Sequence, residues 1–189
     1  MERELLMTGI GGQGIQLAAQ VLARAAIADT QQVQVFGSYG GMMRGGKTEA
    51  TIVFSDRAIE APPTVGWAWS AIVMHPEHAA DVVRRIADGG LVLVNSTVCT
   101  NDMLGENRRE IDVVEIPATD LAVDVGNIVA ASMVMVGAYA ALTGIVRSTS
   151  IEQAITSSLP PYRTQHVELN CRAAEIGRAA ALEHIGSRA

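Results

Sequence analysis

Apolar and polar positions along the chain fall into blocks, with short β-branched runs taking turns with longer stretches of helical spacing. Residues 3–8 form a strand-like run that leads into Gly9-Ile-Gly-Gly-Gln-Gly14. After it Ile15, Leu17, Ala18, Val21, Leu22 and Ala25 recur at helical spacing, which predicts a helix over 15–28. Residues 33–36 read as a second strand, and five glycines within residues 37–46 predict a loop of special backbone geometry. Further strands are predicted at 48–54, 71–74, 91–94 and 113–116. Helices are predicted at 76–87, with Pro76 near the first turn, at 119–125, at 127–142 and from 163 to 185. Ser150 and Gln153 have capping-box spacing ahead of Ala154 and Ile155.

Strands alternating with helices predict an α/β fold, a Rossmann-like, mostly parallel sheet with helices on both faces. The strand at 48–54 follows a loop rather than a helix, so it is expected as an antiparallel addition. At 189 residues and 49% hydrophobic, the chain suits one domain, 1–189.

Charge narrows the partners. Fourteen Lys+Arg against 20 Asp+Glu give a net charge of -6, with no basic tract, which argues against a nucleic-acid backbone or an anionic membrane surface. Residues 125–146 carry no charge and meet the crude length for a membrane span. A buried helix is expected instead, because Ala and Gly are frequent, Asn127, Ser132 and Thr143 interrupt the run, and aromatic anchors are lacking at its ends. The start, Met1-Glu-Arg-Glu, does not read as a signal peptide, and a cytoplasmic location is expected.

Two cysteines, Cys99 and Cys171, stand far apart without a CxxC, so this chain alone is expected to hold neither zinc nor an iron–sulfur cluster, and both thiols read as packing. His75 and His78 read as solvated or capping, Trp67 and Trp69 as anchors of a loop or a subunit contact. No catalytic residue and no metal ligand set is assigned.

Two glycine motifs carry the remaining chemistry. Gly9-x-Gly11-x-x-Gly14 between strand and helix has dinucleotide-fingerprint spacing, in which glycines let a phosphate approach a helix N-terminus. The ribose-binding acid expected after the second strand is replaced by Gly37, Ser38 and Tyr39, so a tight strand-to-helix turn without cofactor fits equally well. Gly41 to Thr48 matches GxxxxGK[ST] letter for letter, but strand formers follow Lys47 where a P-loop needs a helix. Arg44, with Ser38 and Tyr39 nearby in the same loop, can meet a phosphate or a partner backbone, or can hydrogen-bond within the subunit. The alternative function left by these motifs is a stand-alone nucleotide-binding protein of Rossmann or P-loop type.

GIGGQG at 9–14, GSYGGMMRGG at 37–46, TIVFSD at 51–56 with Ile59-Glu-Ala-Pro62, VGN at 125–127, Glu168-Leu-Asn170 and Gly177 together resemble the gamma subunit of 2-oxoacid:acceptor oxidoreductases, the pyruvate, 2-oxoglutarate and 2-ketoisovalerate ferredoxin enzymes. The family commonly has Pro-Glu after Ser-Tyr-Gly, where this chain has Gly41-Met42, so any contact of that acid is lost here. The resemblance implies a complex that converts a 2-oxoacid and coenzyme A to acyl-CoA and carbon dioxide with thiamine diphosphate, magnesium and iron–sulfur clusters. It implies thiamine-binding alpha and beta subunits and an iron–sulfur subunit as partners, and a gamma chain that is inactive alone, supports assembly and helps form the coenzyme A entrance. The contact surface it implies comprises Gly11, Gly12, Gln13, Gly14, Ser38, Tyr39, Arg44, Gly45, Gly46 and Asn127. The particular 2-oxoacid and the electron acceptor, ferredoxin or a nicotinamide, stay open.

Overall fold

The computed structural model describes residues 2–39, 45–60, 65–105 and 110–188. In chain order its elements are β1 (Glu2–Ile10), α1 (Ile15–Ala28), β2 (Gln32–Tyr39), β3 (Lys47–Ser55), β4 (Ala68–Val73), α2 (Ala79–Val83), β5 (Ile86–Asn95), β6 (Asp112–Ile116), α3 (Ala118–Asp124), α4 (Ala131–Thr143), α5 (Ser148–Ser158) and α6 (Val167–Arg188). Short 3-10 turns at Pro76–His78, Asn101–Leu104, Ile128–Ala130 and Pro161–His166 complete them.

The strands form one sheet in the order β2-β3-β1-β4-β5-β6. β1, β4, β5 and β6 run parallel, and β3 runs antiparallel to both β1 and β2. The reversed β3 follows from connection length, because the segment from Tyr39 to Lys47 is too short to carry a helical crossover. Leu5, Leu6 and Met7 are all buried, so β1 is covered on both faces.

Coverage is unequal. Leu5, Met7, Ile52 and Ile72 belong to the larger core, together with buried residues of α1, α3, α4, α5 and α6. Leu6, Val73 and Val94 belong to the smaller core with Val82 and Val83 of α2. Each fully buried aliphatic side chain contributes about 1.5–3 kcal/mol relative to exposure, so most of the stabilisation lies on the larger side.

The uncharged segment becomes α4, buried without interruption from Ala131 to Ala140. Its contact with α6 depends on two glycines. A methyl group at Gly137 would collide with the Ala174 backbone, and one at Gly177 with the Val134 backbone, so each helix is indented where the other presses in. No helix of the described residues is long and apolar enough to cross a membrane.

Several local expectations need correction. The helix expected over 76–87 is a 3-10 turn plus α2, ending at Val83, and Ile86 already pairs with Ala68 as strand. Pairing with β4 outweighs the helical pattern there. Gly37, Ser38 and Tyr39, read as loop, continue β2 because each finds a partner on β3: Ala50, Glu49 and Thr48. Ser150 is not a helix cap: α5 starts at Ser148, and the Ser150 hydroxyl donates to the Asp29 carboxylate instead.

Candidate functional site

The carboxyl ends of the parallel strands β1, β4, β5 and β6 open onto one rim, the place where ligands of open α/β sheets enter. The turn after β1 is built by its own residues. Gln13 Oε1 accepts from Ile10 N–H at 2.9 Å, and its Nε2 donates to the Met74 carbonyl at 3.1 Å. The side chain therefore staples the glycine turn to the end of β4. Gly12 has φ +102° with open space around the position of a Cβ, and Gly14 has φ +76° as the N-cap of α1. A side chain at Gly14 would strain the backbone and meet the Ser132 hydroxyl of α4 at 2.7 Å.

No side chain caps the first turn of α1 and no acidic residue lies in it. Its amide dipoles are thus free to favour an anion, as the glycine spacing suggested. The second glycine motif joins the first: Gly11 N–H donates to the Gly46 carbonyl at 2.8 Å, and a Cβ on Gly11 would lie 3.2 Å from Gly45 N. Gly11, Gly45 and Gly46 are accordingly one contact, with Gly45 at φ +88°.

Asn127 accepts from Val129 N–H at 3.0 Å through Oδ1 and so caps the 3-10 turn before α4. That turn puts Ile128 and Val129 into a crevice of about 240 Å³ whose other walls are Gly12, Gln13, Met74, Val98, Thr119 and Ala131. Enclosed sites for drug-sized ligands run to roughly 300–1,000 Å³, so this crevice by itself holds only part of a large ligand. Its rim is apolar, with Ile128 59% and Val129 56% exposed. The segments that follow β4, β5 and β6 bring exposed Glu77, Asp102 and Asp120, while Lys47 is ion-paired to Glu49 at 2.9 Å.

The expected contact surface is therefore brought together in part. Gly11, Gly12, Gln13, Gly14, Gly45, Gly46 and Asn127 stand at this rim or beside it. Ser38 instead borders a shallow depression with Phe36, Glu49, Thr51 and Arg85. Tyr39 pairs with Thr48 through the backbone, and Arg44 lies outside the described residues. Met74, Val98, Thr119, Ile128 and Val129 were not singled out from the sequence. The signal that could have found three of them is position, since Met74 ends a predicted strand and Val98 and Thr119 come shortly after two others.

Two alternatives lose their geometric basis. In a dinucleotide-binding unit the second strand lies beside the first, but here antiparallel β3 occupies that place. Lys47 and Thr48 open β3, so the P-loop-like letters run into a strand. His75 caps the turn at Pro76–His78 by accepting from Glu77 N–H, and Trp69 stacks under the Arg3 guanidinium at 4.2 Å from the ring centre. Burial pushes the Cys99 thiol up to about 11, which keeps it protonated and inert at neutral pH. Among the described residues no group of three or more His, Cys, Asp and Glu could hold a metal ion.

Comparison with known proteins agrees with this architecture. The family model described as pyruvate ferredoxin/flavodoxin oxidoreductase matches residues 4–180. The 2-oxoglutarate synthase subunit KorC of Methanocaldococcus jannaschii is 34% identical over 85% of this chain and 85% of its own. The pyruvate synthase subunit PorC of the same organism is 32% identical over 97% and 99%. The crystal structure of a keto/oxoacid ferredoxin oxidoreductase gamma subunit from Geobacter sulfurreducens superposes with a TM-score of 0.82 at 29% identity, covering 97% of this chain and 98% of the other. A 2-oxoglutarate:ferredoxin oxidoreductase from Magnetococcus marinus, solved with 2-oxoglutarate, coenzyme A and succinyl-CoA bound, shares the fold alone, at 15% identity and a TM-score of 0.82 over 31% of its chain. With its single reversed strand, its interlocked glycine turns and relatives of matching length, the chain belongs to the pyruvate ferredoxin/flavodoxin oxidoreductase family, as a gamma subunit of a 2-oxoacid:ferredoxin oxidoreductase.

Proposed function

We propose that this subunit carries none of the redox chemistry of its complex and serves assembly and the entry of coenzyme A. The single observation that supports this most is the Gly11–Gly46 hydrogen bond, which joins both glycine motifs at the crevice rim. The residues fit one portion of coenzyme A. The uncapped first turn of α1 and the open backbone at Gly12 suit a phosphate, whereas a crevice of about 240 Å³ does not enclose the whole molecule. The exposed acids that follow β4, β5 and β6 repel a polyanion, so a cation must be added by Arg44 or by another subunit. Gly12, Gly14 and Arg44 would hold the phosphate end, and Ile128 and Val129 would pack against a partner subunit.

Coenzyme A supplies the thiol that takes up the acyl group. The contribution of this chain is positional: it holds the phosphate end, excludes water with its apolar rim, and leaves the reacting carbon to thiamine diphosphate and the electrons to iron–sulfur clusters in thiamine-binding alpha and beta subunits and an iron–sulfur subunit. Two separated cysteines cannot ligate a four-cysteine cluster, which supports this division. A place in the cytoplasm and a single domain spanning 1–189 belong to the same reading.

The test is Arg44→Ala in the reconstituted complex. Loss of one desolvated charged contact typically costs about 1.5–3 kcal/mol, on the order of tenfold to a hundredfold in the KM for coenzyme A or in subunit affinity. The melting temperature of the subunit should not move. Unchanged coenzyme A kinetics together with unchanged assembly would reject the role given to this loop.

A further inference from the structure

The two edges of the sheet are built differently. β6 is five residues long, carries exposed Asp112 and Glu115 and is followed by Pro117, all devices that discourage a further strand. β2 is eight residues long, Gln-Val-Gln-Val-Phe-Gly-Ser-Tyr, and contains neither charge nor proline. Both faces at its middle are apolar and open, Val35 being 41% and Phe36 51% exposed. Among the described residues no strand pairs with the outer side of β2, and an edge of this composition invites one.

We propose that β2 pairs with β2 of a second copy of this chain, antiparallel about a two-fold axis perpendicular to the sheet, so that one sheet continues through both subunits. Charge selects this occupant. Self-pairing sets every residue against the same short segment, and a charged strand would oppose itself, whereas β2 brings no charge to either side. The axis keeps the helix-covered faces together, so residues of equal parity oppose each other. Centred on Phe36, the pairing sets this ring against its own copy; centred on Val35, it sets Phe36 opposite Gln34 with its own copy on the diagonal, still within reach of an aromatic or long side chain. A strand from a different protein is usually selected by matching opposite charges, and β2 offers it none to match.

The experiment uses the full chain in sedimentation velocity over a wide concentration range, with Phe36→Glu and Phe36→Lys as variants. Phe36 is half exposed, so both variants should still fold, as their circular dichroism would show, while their melting temperature loses the part that dimerisation adds. The parent should sediment as a discrete dimer, and each variant should weaken dimerisation about tenfold or more through like charges across the axis. An equimolar mixture of the two variants should restore dimers, since Glu then faces Lys. A parent that stays monomeric, one that forms only polydisperse aggregates, or a dimer indifferent to both substitutions would each overturn the proposal.

Discussion

Asp29 closes the C-terminal end of α1 and gathers three donors from a distant part of the chain: Arg147 N–H at 2.7 Å, Arg147 Nε at 2.7 Å and the Ser150 hydroxyl at 2.5 Å. Burial raises its pKa, but the hydrogen bonds from Arg147 and Ser150 outweigh that and hold it below the ordinary carboxylate value. A depressed native pKa stabilises the fold above the unfolded value near 3.9 and loses that contribution as pH falls through the native value. Denaturation midpoints should therefore drop on acidification below about pH 4, and Asp29→Asn should flatten that part of the profile. An identical profile for the variant would show that Asp29 does not contribute. The tether at Asp29 was not legible in the sequence, because its partners lie more than a hundred positions away. Gln13 was legible as part of the turn but not as its staple, since only folding brings Met74 beside it.

The elements most legible in the sequence were those whose pattern is local. Helix α1 follows the apolar spacing from Ile15 to Ala28, and the reversed β3 follows from the lack of a helix before it. The expected helix at 76–87 fails at Arg84, where strand pairing with β4 takes over, and only tertiary structure announces that partner. The α4–α6 contact is likewise invisible in periodicity, because Gly137 and Gly177 matter through what touches them. Gly137→Leu should destabilise the chain by about 1–3 kcal/mol or more through overpacking, despite a better helix propensity. Chemical denaturation would measure this, and an unchanged midpoint would mean that α6 can shift away. At β3, Lys47→Ala should leave nucleotide affinity untouched in calorimetry, since no helix follows the P-loop-like letters. ATP binding at micromolar affinity that disappears in Lys47→Ala would contradict that reading.

The whole molecule is a sheet loaded with helices on one face and thinly covered by α2 on the other, with an apolar rim at the carboxyl ends and an uncharged edge at β2. Fold class and family could be read from strand alternation and the glycine motifs. The crevice as a whole could not, because its lining comes from the segments after four strands and from the turn into α4, which meet only in space. A gamma subunit with two separated cysteines should be inactive alone and indispensable in company. The most direct measurement is acceptor reduction dependent on a 2-oxoacid and coenzyme A, with the partner subunits assayed with and without this chain, and this chain assayed alone. The expectation is no turnover for the chain alone and full turnover only for the complete assembly. Turnover by the isolated chain, or partner subunits that work equally well without it and with the same KM for coenzyme A, would contradict it.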